Sequence, residues 1–209
     1  QERRSAFKFQ ILYAPLLYSI LTLYWVTVKD FDQLANYHKR DLLKTQKLTF
    51  RTALFRILLI KVLYYSIIIA LPIALGIPWW LVLIGFLIMH AVGGLILALV
   101  FQSAHVLDTT EFTLPEGSSV ENSWAIHQMK TTSNFSMGNV PLTWFLGGLN
   151  HQVEHHLFPN ICHVHYPAIS KIVKETAAEF NIPYLQQKTF AGAITNHFRF
   201  LHNLGTARV

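Results

Sequence analysis

Cysteine is almost absent from this 209-residue chain, and charge is scarce. The single Cys162 excludes an intramolecular disulfide, a CxxC redox pair and a zinc-finger spacing, and it fits a reducing, cytosolic face. Charged residues make up 13%, about half of what a soluble domain carries, while hydrophobic residues reach 52% and mean hydropathy is +0.34. Acids are the scarcer sign. Residues 1–61 hold eleven Lys or Arg against four Asp or Glu, and the whole chain carries +6. There is no internal repeat and no low-complexity tract. The chain starts at Gln1 with neither a Met nor a signal-peptide pattern, which reads as a fragment. A single domain is the expectation for this length.

The charge deficit is concentrated. From Val62 to Ala104, 43 residues pass without an Asp, Glu, Lys or Arg. One crossing takes ~20 apolar residues, so the run fits two helices, expected at 57–75 and 80–102. Pro72, Gly76 and Pro78 fall at the turn between them, and Trp79 and Trp80 suit an interface. A buried core hairpin is the alternative. Lys39, Arg40, Lys44, Lys47, Arg51, Arg56 and Lys61 place the 29–56 side in the cytoplasm, and the second crossing returns the chain there near Gln102. The positive charge therefore reads as attraction to a membrane surface. No basic patch is interleaved with a nucleic-acid-binding motif, so nucleic acid is not an expected partner. A further uncharged stretch, Phe9 to Val28, is basic on both flanks, with Arg3, Arg4 and Lys8 before it, and has Tyr13, Tyr18, Tyr24 and Trp25 scattered through it. It reads as a helix lying in the interface, with a membrane span, for which it is long enough, as the alternative.

The expected fold is therefore an all-α integral-membrane protein. It has a basic interfacial segment over 1–56, a transmembrane hairpin over 57–102 and a cytosolic helical cap over 103–209. Within the cap, residues 108–121 read as a polar loop turning at Pro115-Glu116-Gly117. Helical spacing runs from Pro167 to Phe180, stopped by Asn181 and Pro183, and from Phe190 to an end at Gly205.

Histidine is abundant. Eleven are present, five of them in the seventeen residues 150–166, NHQVEHHLFPNICHVHY. If 151–156 is helical, Gln152, His155 and His156 share one face, while the adjacent pair His155 and His156 diverges by ~100°. That suits two neighbouring metals better than one closed tetrahedral site. Imidazole alone does not choose among Zn, Cu, Fe and Ni, and packing or surface roles are the bland alternative. His90 lies mid-helix, ~22 Å along the axis from His105, and reads as a packing contact. His38, His197 and His202 stand alone and read as structural.

The run GGLNHQVEHHLFP (147–159) resembles the third histidine box, Q-x-x-H-H, of front-end membrane fatty acid desaturases, with Gln152, His155 and His156 in the box positions. WAIHQMKTTSNFS (124–136), the apolar hairpin and CHVHYPAISKIV (162–173) resemble the acyl-CoA desaturases of that branch. The resemblance implies two irons, held here by His105, Gln152, His155 and His156, with His105 in the position of the isolated ligand past the last crossing. His127, His151, His163 and His165 are candidates to support those ligands. It implies oxygen-dependent insertion of a double bond into a fatty acyl chain, as acyl-CoA or lipid, with electrons from a ferredoxin or a haem cytochrome. His151 departs from the family, which usually has an aromatic there; it is expected to fill that space and point away from the metals. No proton-transfer role falls to Glu154. The family's H-x-x-x-H and H-x-x-H-H boxes do not occur before residue 62. Four donors cannot fill two six-coordinate irons, so the chain alone is not expected to be competent. A lipid or alkane hydroxylase and a non-enzymatic membrane metal or haem carrier are the rival readings.

Overall fold

The computed structural model describes residues 5–113 and 123–206. The turn expected at Pro115-Glu116-Gly117 lies outside them, as do Arg3 and Arg4. The chain forms two compact units, residues 14–98 and residues 5–13 with 99–206.

In the first unit, α1 (Ser5–Ser19, begun in the other unit) and α2 (Leu21–Lys39) are bent by 47° at Ile20. The single helix expected over 9–28 is thus two. Pro15 lies inside α1, where a missing amide weakens the helix just before the break. A short α3 (Leu42–Thr45) follows, then α4 (Phe50–Ala74) and α5 (Trp79–His105). Both long helices meet the length and hydropathy of a membrane crossing.

Their bounds differ from expectation chiefly at the start of α4 and the end of α5, and Pro72 is placed differently. α4 starts at Phe50 rather than 57, because the Thr49 hydroxyl caps it by accepting from the Thr52 amide at 3.2 Å. Arg51 and Arg56 interrupted the apolar pattern without interrupting the helix. Pro72 belongs to the helix and not to the turn: the wider π-type turn Ser66–Ala70 precedes it and accommodates its missing N–H. The turn is left to residues 75–78, where Gly76 takes φ +93°. α5 runs on through His105.

Tyr64 of α4 meets His90 of α5 (Oη to Nε2, 2.8 Å), and Thr22 of α2 closes the other side, 3.1 Å from His90 Nδ1. Thr22 also donates to the His90 carbonyl at 2.8 Å. The packing role expected for His90 is therefore explicit, and it joins three helices. Gly94 is glycine because a Cβ would stand 2.8 Å from the Tyr18 and Ser19 carbonyl oxygens. The outward apolar residues of α4 are bare, with Ile60 65% and Val62 62% exposed. In water such a surface would aggregate; in hydrocarbon it is solvated.

The second unit packs the end of α5 with α6 (Trp124–Thr131), α7 (Val140–Phe145), α8 (Gln152–Leu157), α9 (Tyr166–Glu179) and α10 (Phe190–Thr206). Two apolar clusters hold it. One joins Val100, Ala104, Phe135 and Ala193, the other Met129, Val153, Val173 and Ala177. Two-residue strands, β1 (Asn134–Phe135) and β2 (Gln186–Gln187), pair in parallel, a feature too short to leave a sequence pattern. α9 stops as expected, with Asn181 at φ 54°. α10 does not end at Gly205. That glycine lies inside the helix, where the Phe7 carbonyl leaves no room for a Cβ.

Candidate metal centre

α8 opens after a tight left-handed turn. Gly147 and Gly148 take φ +59° and +78°. A Cβ on Gly148 would also collide with His163 and stand 3.1 Å from the Tyr166 ring. Gly148 thus leaves room for that ring, and Asn150, fully buried, ties the turn to Thr143 Oγ1 at 2.9 Å. The residues ahead of the histidines thus set the entry angle of the helix that bears them.

The structure brings together all four residues expected to bind metal. The His105 and His156 ring centroids are 4.9 Å apart, and those of His155 and His156 are 5.9 Å apart. The Gln152 side chain is near enough to His105 to raise its pKa against the lowering effect of burial. Each imidazole is held by Nδ1. His105 Nδ1 faces the Thr131 carbonyl at 3.4 Å, His155 Nδ1 the Tyr166 hydroxyl at 3.3 Å and His156 Nδ1 the Gln128 Oε1 at 2.7 Å. For His105 and His156 the partner is an acceptor, which assigns the proton to Nδ1 and leaves the Nε2 lone pair free. Metal-binding histidines are oriented in this way. Burial, and then the neighbouring His105 and His155, press the His156 pKa down to about 4, so it is neutral at pH 7. Gln152 is 1% exposed, and its Nε2 has no hydrogen-bond partner. Among the described residues, no three His, Cys, Asp or Glu side chains converge closely enough to hold an ion by themselves. The donor set fits part of a nitrogen- and amide-ligated metal centre.

The supporting groups are mostly not the histidines expected. His127 sits 3.3 Å from Thr113 Oγ1, and it is its neighbour Gln128 that orients His156. His163 packs edge-on to Trp144, and His165 is exposed in a short turn. Gln128, Thr131 and Tyr166 were hidden from sequence reasoning, because a carbonyl, an amide and a hydroxyl carry no metal signature. They do fall inside the two flanking stretches singled out above.

His151 is the N-cap of α8, not part of the helix, and is 1% exposed with neither ring nitrogen hydrogen-bonded. Burial lowers its pKa to about 4. It stands as a neutral ring, with Nδ1 3.8 Å from a Glu154 carboxylate oxygen.

Glu154, fully buried, faces a polar latch instead. One carboxylate oxygen accepts from Tyr184 Oη at 2.7 Å and the other from Asn134 Nδ2 at 2.9 Å. Asn134 Oδ1 also accepts from the Val153 amide at 2.9 Å. Burial raises the Glu154 pKa against the lowering pull of these donors. The latch fixes the rotation of α8 about its axis, and so the direction of the box residues.

The family model described as fatty acid desaturase matches residues 2–188. The chain is 39% identical to the sn-1 linoleoyl-lipid 6-desaturase of Synechocystis sp., over 99% of this chain and 58% of that protein. It is 32% identical to the protein of the same name from Arthrospira platensis, over 97% and 55%. It is 35% identical to Delta(5) fatty acid desaturase A of Dictyostelium discoideum, over 98% and 45%. The chain thus spans about half the length of the curated relatives it matches. No solved structure matches it.

Proposed function

The chain belongs to the fatty acid desaturase family, and from that premise we propose that the intact protein is an oxygen-dependent desaturase of a fatty acyl chain. The observation that carries this is the convergence of His105, Gln152, His155 and His156, with the three imidazoles held through Nδ1. In this reading those residues hold one part of a di-iron centre. The remaining donors come from elsewhere in the intact protein, since two octahedral irons need more than four. Bound iron would supply, with dioxygen, two electrons and two protons, the oxidising strength needed to take two hydrogens from an unactivated –CH2–CH2– pair; the oxygen would leave as two waters.

The chain's own contribution is geometry. Gln128, Thr131 and Tyr166 keep the imidazoles aimed and in one tautomer. Tyr184, Asn134 and Glu154 hold α8, and the apolar clusters around it limit the access of water. The names of the relatives favour an acyl chain carried on a lipid over acyl-CoA. α4 and α5 form a transmembrane hairpin with the box on the cytoplasmic side, where a ferredoxin or a haem cytochrome delivers electrons.

The test is product analysis. The intact gene is expressed in a host supplied with a mono- or di-unsaturated acyl lipid, and the fatty acids are identified by mass spectrometry. A new alkene that depends on oxygen and on His156 supports the proposal. A new alcohol would assign a hydroxylase, and no new product a non-catalytic role.

A further inference from the structure

The unit of residues 14–98 holds a cleft of about 690 Å³ between the second half of α2, α3 and the first turns of α4. It takes no part in the function proposed above. Its floor is apolar, with Leu34 and Leu43 buried and Ile57 beside them. Its rim is polar, with Gln33, Gln46 and Arg56. Asp30 also lines it, but that carboxylate is already neutralised by Lys61 Nζ at 2.9 Å. Arg56 forms no ion pair among the described residues. The cleft therefore offers one uncompensated charge, positive, above an apolar floor.

Its polarity follows the helix axis. Arg56 and Ile60 are one turn of α4 apart, ~6 Å along the axis. Ile60 lines the cleft and also opens onto the bare apolar face of α4, where Phe55 is 65% and Leu59 56% exposed. An occupant thus has its charged end at Arg56 and its hydrocarbon running past Ile57 and Ile60 towards the charge-free run that begins at Val62. The volume is that of an ordinary small-molecule site, ~300–1,000 Å³, with room for a phosphoglycerol head and the upper part of an acyl chain.

We infer that this cleft is a binding site for one anionic glycerophospholipid, with its phosphate on Arg56 and an acyl chain on Leu34, Leu43 and Ile57. Charge complementarity selects the headgroup. The segment 39–61 carries seven basic residues and the single acid Asp41, itself paired with Lys44 at 2.8 Å. A zwitterionic lipid would turn its cation towards this surface, and a free phosphate would leave the apolar floor unfilled.

The experiment is native mass spectrometry of the intact protein, released from neutral detergent after adding dioleoyl phosphatidylglycerol and dioleoyl phosphatidylcholine in equal amounts. One phosphatidylglycerol per chain is expected to survive, with phosphatidylcholine displaced. Arg56→Gln, at an exposed position outside the packed core, is expected to weaken retention about tenfold, the worth of one charged hydrogen bond. Arg51→Gln, on the same helix but outside the cleft lining, serves as the control and is expected to change retention little. Leu43→Trp fills the floor and is expected to abolish retention. Equal retention of both lipids overturns the site. So does equal weakening by Arg51→Gln and Arg56→Gln, which would assign the attraction to the basic surface at large. Competition by glycerol 3-phosphate alone would show a phosphate site without a lipid and overturn it as well. The readout is binding, so it stands or fails apart from the desaturase reaction.

Discussion

His105 and His156 stand ring to ring, with centroids 4.9 Å apart, although one ends a membrane-length helix and the other lies in a six-residue helix of the cap. The sequence between them folds so that an isolated histidine joins a box of three donors. That pairing underlies the expectations below.

Gln128 and Tyr166 hold His156 and His155 through Nδ1. Gln128→Ala and Tyr166→Phe are expected to lower iron affinity or turnover of the intact protein by roughly 10- to 100-fold, as loss of such supports does at other metal sites. Both variants should keep the wild-type thermal midpoint within a few degrees. Unchanged iron content and unchanged turnover in both would show that the imidazoles need no such support.

Glu154 acts on stability through its latch. Glu154→Ala strands the Asn134 amide and the Tyr184 hydroxyl in a buried space, at a cost of about 2–4 kcal/mol. Glu154→Gln keeps an acceptor and is expected to lose markedly less. Denaturant unfolding of the two variants checks this order. Equal loss in both would mean that charge, rather than hydrogen bonding, holds the latch.

The metal-free protein is expected to be acid-labile. His151 and His156 take protons in the fold only at about pH 4, against the ordinary 6.5 in the unfolded chain, with burial the main cause. Between those values the unfolded state binds more protons, so stability is full above pH 6.5 and falls as pH drops towards 4. His151 alone contributes roughly 2–3 kcal/mol over that window. Glu154, raised by burial, acts in the opposite sense and offsets part of it. Thermal midpoints at pH 7.5 and 5 are expected to drop for the wild type and to drop less for His151→Phe. A midpoint that holds or rises on acidification would contradict this.

How far the sequence carried can be judged from particular elements. The charge-free run announced α4 and α5, and the box announced α8, because each rests on a pattern within a few turns of chain. α4's early start was missed because Arg51 and Arg56 can point outward without ending a helix. Pro72 was read as a turn because a π-type turn cannot be seen in composition. The supports of the imidazoles were missed for another reason: a main-chain carbonyl, an amide and a phenol gain meaning only when folding places them within reach of Nδ1. Glu154 was likewise legible as a box residue and not as a latch, since Tyr184 and Asn134 reach it only through the β1–β2 pairing.

The stretch 9–28 is expected to enter the hydrocarbon rather than lie along its edge. Thr22 bonds His90, and residues 18–19 touch Gly94, all near the middle of α5. A polar contact at that depth is held only if its partner is at the same depth. In a Cys162→Ser background, Ile20→Cys is expected to resist a membrane-impermeant maleimide until detergent is added. Labelling in intact membranes as fast as that of native Cys162 would put the helix at the interface.

The central claim is that these four residues hold iron in the intact enzyme. Metal analysis of the purified protein tests it most directly, in the wild type and in His105→Ala, His156→Ala and His202→Ala. About two irons per chain are expected in the wild type and in His202→Ala, and a clear loss in the other two with the fold retained. Full iron in both His105→Ala and His156→Ala would contradict it.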